Sequence, residues 1–354
     1  MTPRPASGFR FSPPPLAISP ATRWALLRAF GPPETPAPAV DPEEAWTQAA
    51  LLDVAPRIGS RVAMARLSNE LGESVAERFV AARRQTASTA LRYEQLAADL
   101  VELATERKIP IVFLKGLALQ LGGYCSPGER PFGDLDCLAR AKEAHDLFGT
   151  LVERGFAPAE VPPNEQHLPP LAAPVWGAVD LHLALRGVWH PGGEWWTADL
   201  LLAEGRAQGL PTLPGAYLPD AEVLAAHALV HALDQHGLAP GRHGLLRMIG
   251  DAASLLPGQR DWDRFLAIAG PWIAPTVSAE ELAAARELTL ALAAGDLPAD
   301  TTFAGKLLSH FLATATDPSY GQRGRWHNLA LRLRRAAERG GLVRYIRRKL
   351  RRRR

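Results

Sequence analysis

The chain has 354 residues, of which 47% are hydrophobic and 22% charged, the balance of a folded globular protein rather than a disordered one. Its two cysteines, Cys125 and Cys137, exclude a disulfide framework and a metal centre built from thiolates alone. The net charge of +3 hides an asymmetry: residues 321–354 carry 14 lysines and arginines and one acid, Glu338, leaving 26 bases against 36 acids elsewhere.

Residues 1–42 hold 11 of the 31 prolines. Each proline fixes its own φ and removes a donor, so a mostly flexible segment is expected, with one short helix at Ala21–Phe30. No apolar run reaches the roughly 18 residues of a membrane span. Pro13, Pro14 and Pro15 interrupt the place where a signal peptide needs an apolar core, and a cytoplasmic protein is expected.

From residue 43 to 107 the pattern turns helical. Val80, Ala87, Leu91, Leu96, Leu100 and Leu103 recur at helical spacing within Val75–Arg107, which predicts one long amphipathic helix. The period changes at Ile109: Ile109–Leu114 is short, apolar and β-branched and reads as a buried strand. Lys115-Gly116 then opens a short helix, Leu117–Tyr124, and Cys125–Arg130 is turn material. Phe132–Ala139 reads as a second strand, Ala141–Gly155 as a helix, and Trp176–Leu185 as a third strand. Beyond residue 200 the helical candidates are Asp220–Leu233, Leu245–Leu256, Asp261–Ala269 and Ala279–Ala294. The expected organisation is a helical segment at 43–107, an α/β core at 108–190, a helical region at 191–320 and a basic tail at 321–354.

The second strand contains Gly133-Asp134-Leu135-Asp136. Side chains alternate along a strand, so the two aspartates share a face. Adjacent carboxylates repel unless a cation lies between them, and oxygen ligands of this kind suit magnesium. The third strand repeats the pattern in Val179-Asp180-Leu181-His182. If the two strands are neighbours, Asp180 joins the pair, and three carboxylates suffice for two metal ions about 4 Å apart. Lys115 at the turn offers a charge for a phosphate, Gly116 permits close backbone approach, and a helix N-terminus favours anions. Arg130 is placed either to reach a phosphate or to lock an aspartate.

Val112–Leu119, Tyr124, Gly128–Asp136 and Val179–His182, taken in order, resemble the uncharacterised nucleotidyltransferase family of the polymerase-beta-like superfamily. Helical stretches including Leu246–Asp251 and Asp261-Trp262 match in placement, and the resemblance covers about residues 43–300. It implies an α/β (α+β) fold: a small mixed sheet flanked by N- and C-terminal helices. It implies Asp134, Asp136 and Asp180 as catalytic metal ligands for one or two Mg2+ ions. Lys115, Gly116, Arg130 and His182 would bind the nucleotide. The activity implied is transfer of a nucleoside monophosphate from an NTP to an acceptor hydroxyl, releasing pyrophosphate. Gly116 is followed by Leu117, where the wider superfamily has a Gly-Ser or Gly-Gly turn.

Plainer readings stand beside this one. Asp134 and Asp136 fit a capping pair, Asp180 a salt-bridged strand residue, His182 a packed histidine, and Lys115 and Arg130 surface cations. His227 and His231 share a helix face but lack the glutamate of a metalloprotease motif, and read as core or solvated histidines. A protein that keeps the fold and binds nucleotide without turnover is the alternative. So is a module that acts through its tail, where arginines interleave with Leu331, Leu333, Val343, Tyr345 and Ile346. Such a helix suits an anionic membrane surface, a nucleic acid or an acidic protein.

Overall fold

The computed structural model describes residues 18–161, 166–174, 176–235 and 244–316. Most of the proline-rich start, His236, His243 and the basic tail lie outside the described residues.

The N-terminal helices begin where their caps dictate. Ser19 and Asp41 accept the backbone N–H groups of Thr22 and Glu44 at 3.1 and 2.9 Å, opening α1 (Pro20–Phe30) and α2 (Pro42–Leu51). A proline fills the first turn of each, where its missing N–H has no partner to lose. Helices α3 (Ala55–Arg61) and α4 (Met64–Leu71) lead into the 34-residue α5 (Glu73–Glu106), roughly 50 Å long at 1.5 Å per residue.

The long helix is the one expected: Leu96, Leu100 and Leu103 are buried as their spacing predicts, while its N-terminal part turns a different face to the core. Phe79, Thr86, Ala90 and Tyr93 take the core positions, and Leu91 is 60% exposed. The reason is tertiary: α3 and α4 pack on its first half, while Tyr93 turns toward the sheet.

After α5 come β1 (Ile111–Phe113), α6 (Lys115–Leu121), β2 (Leu135–Leu138), α7 (Ala141–Glu153), β3 (Ala157–Pro158), β4 (Leu171–Ala173) and β5 (Gly177–His182). The chain continues through β6 (Leu185–Trp189), β7 (Trp195–Trp196), α8 (Ala198–Ala203), β8 (Ala207–Gly209) and β9 (Ala216–Pro219). The last described elements are α9 (Ala221–Val230), a π-helical turn His231–Gln235, α10 (Gly244–Leu255), α11 (Gln259–Ile268), α12 (Gly270–Ile273), α13 (Ala279–Ala293) and α14 (Phe303–Thr316).

Seven strands form one mixed sheet in the order β3-β4-β5-β2-β1-β9-β8, and β6 pairs β7 in a small second sheet. The α+β architecture is therefore as expected, with strands shorter than the sequence suggests. The second strand starts at Leu135, so Asp134 precedes it, and the third ends at His182 before the chain leaves the sheet. Two strands, β8 and β9, enter the sheet from beyond residue 190. Asp220 caps α9 by accepting from Val223 N at 2.9 Å. Asp261 is the third residue of α11 and accepts from Gly258 N at 3.0 Å. One continuous apolar core runs from Trp24 on α1 to Leu312 on α14. No helix among the described residues is long and apolar enough to cross a membrane.

Candidate active site

The centre of the sheet places the carboxylates. β2 and β5 pair in parallel with Asp136 directly opposite Asp180, and Leu138 opposite His182. Leu135, Val179 and Leu181, pointing the other way, are fully buried, and that apolar face locks the register. A one-residue slip would turn the aspartates into that apolar face and the leucines toward the cleft.

Tyr93 braces both strands from outside the sheet. Its hydroxyl donates to Gly133 O, just ahead of Asp134, and accepts from Ala178 N at 3.2 Å, two residues before Asp180. Gly177, at φ +105°, leaves room for the phenol: a Cβ there would lie 2.9 Å from the Tyr93 hydroxyl.

Asp136 is the buried hub. Its Oδ1 accepts from Lys115 Nζ at 2.6 Å and from His182 Nε2 at 2.8 Å. Burial alone would raise its pKa, but Lys115 and His182 more than offset this and hold the carboxyl well below the usual range. The same pairing works in reverse on Lys115. Burial would lower the ammonium's pKa, and Asp136, helped by Asp134 and Asp180, raises it above the ordinary value. Lys115 also sits at φ +51°, a left-handed conformation that a non-glycine residue adopts at some cost. Asp134 is pushed the other way from Asp136. Desolvation in the cleft and the negative charge of Asp136 raise its pKa, against the pull of Lys115 and Arg247.

Asp180 Oδ2 lies 3.6 Å from His182 Nε2, and Asp180 Oδ1 is buried with no hydrogen-bond partner among the described residues. Asp136, Asp180 and His182 each offer a ligand atom within 4.8 Å of the others. Two carboxylates and an imidazole around an unsatisfied carboxylate oxygen form a donor set that fits a divalent cation. Asp134 stands outside that group of three but lines the same cleft.

The cleft has a volume of about 380 Å³. Asp136 and Asp180 of the sheet, with Asp134 just before β2 and Lys115 at the start of α6, line the cleft together with His227, His231, Arg247 and Asp251 of the later helical segments. Arg130 locks an aspartate, and it is Asp251: Nε and Nη2 meet its two oxygens at 2.5 and 2.9 Å. Gly116 does not line the cleft. The Arg130 guanidinium and the Phe132 ring cover it, with Phe132 Cβ 2.9 Å from where a Cβ would stand. The glycine thus makes room for a side chain of this chain.

His227 on the helical wall is the core histidine that the sequence suggests, and it also lines the cleft. His227 is buried at 3% exposure, and its pKa is pushed down to about 3 by desolvation and by the charges of Lys115 and His182. His167, His182, His227 and His231 stand in a row, with ring centroids 5.9 to 6.1 Å apart. His231 opens the π-helical turn, a local widening that often marks functional positions. The spacing of His227 and His231 was the available signal, but helical spacing gives a shared face without saying what that face meets. Burial raises the pKa of Cys137 and takes that of Cys125 to about 12, so both thiols stay protonated and inert as nucleophiles.

The small mixed sheet flanked by N- and C-terminal helices is the fold that the sequence resemblance implies. No curated protein and no solved structure matches the chain. A family model described as "Uncharacterised nucleotidyltransferase" matches residues 38–289, which include every residue of the cleft, and the chain belongs to that family.

Proposed function

We propose that the protein is a magnesium-dependent enzyme that transfers a nucleoside monophosphate from an NTP to an acceptor hydroxyl. The observation that carries this reading is the in-register pair Asp136 and Asp180 at the foot of a cleft, with one buried carboxylate oxygen unsatisfied. Asp136, Asp180 and His182 would hold the metal, with Asp134 beside them. Magnesium bound there supplies neutralisation of phosphate charge and acidifies the acceptor hydroxyl.

The chain's own groups do the rest. Lys115 keeps Asp136 ionised and oriented. Asp180 Oδ1, lacking a donor, is placed to take the acceptor proton as the hydroxyl oxygen attacks the α-phosphorus. The bond from the α-phosphorus to the bridging oxygen then breaks, and pyrophosphate leaves. The cleft wall, with Leu224, Ala228, Met248 and Leu255, supplies apolar surface for the nucleoside or the acceptor.

The test is incubation of the purified protein with α-labelled and, separately, γ-labelled nucleoside triphosphates, magnesium and a cell extract as acceptor source. Label from the α position alone should appear on an acceptor, and disappear with Asp180→Asn. Transfer of γ label would identify a kinase and sink the proposal.

A further inference from the structure

The cleft presents three permanently or strongly cationic side chains: Lys115, Arg130 and Arg247. Two of them are already matched. Lys115 pairs with Asp136, and Arg130 makes two parallel bonds to Asp251. Both pairs are largely buried, so drawing either cation away would strand a carboxylate in low dielectric. These cations build the site and are poorly available for a ligand.

Arg247 is placed differently. It lies on α10 four residues before Asp251, so the two share a helix face. One nitrogen, Nη2, bonds Asp53 Oδ2 at 3.0 Å in a pair that is 24 to 35% exposed at its two ends. Its Nε is buried and finds no hydrogen-bond partner among the described residues. A guanidinium has five donors in a rigid planar fork and does not lose its proton. Arg247 lines the cleft with its side chain 35% exposed, and a guanidinium with only Nη2 engaged keeps donors for an anionic ligand.

The rest of the cleft says which anion. It carries Asp134, Asp136 and Asp180, which repel a simple carboxylate or a lone phosphate. An anion that enters must be bridged to the carboxylates by a cation at one end and reach the arginine at the other. A polyphosphate chain has both features. We propose that Arg247 binds the terminal phosphates of the nucleoside triphosphate, and so holds the pyrophosphate leaving group. This rests on the nucleotidyltransferase reading and adds to it a residue for the far end of the polyphosphate. Arg247 then sets selectivity for triphosphates over monophosphates.

The experiment is a calorimetric titration of the full chain, in magnesium, with inorganic tripolyphosphate, adenosine triphosphate and adenosine monophosphate. For Arg247→Gln, affinity for tripolyphosphate and the triphosphate should fall by about tenfold or more, as expected for losing a charge-assisted fork. Monophosphate affinity should hold within about twofold. Asp53→Asn, which frees the guanidinium, should leave triphosphate binding intact or tighter. A merely structural arginine gives the opposite pattern: equal losses for all three ligands, shared by Asp53→Asn. In the wild-type chain, tripolyphosphate should slow modification of Arg247 by phenylglyoxal, read by mass spectrometry, a measurement that does not depend on a variant folding. Unslowed modification, or an unchanged tripolyphosphate affinity in Arg247→Gln, overturns the assignment and leaves the nucleotidyltransferase reading in place. A wild-type chain that binds neither polyphosphate overturns both.

Discussion

Arg130 and Asp251, 121 residues apart, close a two-point ion pair that ties the turn before Asp134 to α10. Both side chains are nearly buried, at 11 and 9% exposure. Burial alone would lower the Arg130 pKa, and Asp251 raises it above the ordinary value. Asp251→Asn leaves the guanidinium buried without a counter-charge and should destabilise the protein by about 3–5 kcal/mol. The double variant Arg130→Met with Asp251→Leu should recover much of that loss. Urea unfolding of the single and double variants is the check, and a loss below about 1 kcal/mol in Asp251→Asn, the range of an exposed pair, would contradict it.

Asp136 and Asp180 face each other but should respond differently to amidation. Asp136→Asn strands Lys115 beside a neutral side chain in a buried position, so stability falls along with activity. Asp180 makes no comparably close bond: its oxygens lie 3.6 and 3.7 Å from the nearest histidine nitrogens. Asp180→Asn should therefore unfold near the wild-type midpoint while nucleotidyl transfer drops by about 10²–10⁴-fold.

Divalent cations should raise the melting temperature of the wild-type chain, because a ligand that binds only the folded state stabilises it, by about 2.7 kcal/mol at a hundred times Kd. The shift should vanish in Asp180→Asn and on adding a chelator. Thermal melts with magnesium, manganese and calcium read this directly. An equal shift in Asp180→Asn would place the cation elsewhere.

Tyr93 joins the approach to β2 with the start of β5 through one hydroxyl. Tyr93→Phe removes a donor and an acceptor at once and should cost about 1–3 kcal/mol. Its effect on turnover should exceed its effect on nucleotide affinity, since the hydroxyl sets the spacing of Asp134 and Asp180 and is absent from the cleft lining. Steady-state kinetics at saturating NTP separate the two.

The pH dependence of stability should carry the signature of His227. Its folded pKa of about 3 lies below the ordinary 6.5, so between those values the unfolded chain binds a proton that the folded chain refuses. Stability therefore falls as pH drops through this window, by up to about 1.4 kcal/mol per pH unit. Asp136 is depressed below the carboxylate range, so its contribution is complete above about pH 4 and is lost only on further acidification. Urea midpoints at pH 7 and pH 5 should differ in the wild-type chain and draw together in His227→Leu.

Much of the site is local and therefore visible in the sequence. The alternation in Gly133–Asp136 and Val179–His182, the β-branched run ending at Phe113 and the Lys115-Gly116 turn each lie within a few residues, where period and turn chemistry act. The caps at Ser19, Asp41 and Asp220 obey the same short-range rule. Strands of two to four residues, such as β3, β4, β8 and β9, are too short to show a period, and the sequence reading missed them. Along α5, Leu96, Leu100 and Leu103 are buried at the expected spacing but Leu91 is exposed, because a helix that is apolar on more than one side does not announce which side its neighbours will cover.

By itself, then, the amino-acid sequence determined the carboxylate-bearing strands, the lysine turn and the family. Tertiary structure alone decided the partners. It gave Arg130 to Asp251, Lys115 to Asp136, and the second wall of the cleft to α9 and α10, leaving an unpaired donor on Arg247. Hydrophobic periodicity sets which face of an element is buried, but carries no address for what it is buried against. Charge pairing and cleft shape depend on that address, and only the packing of distant segments around one core supplies it.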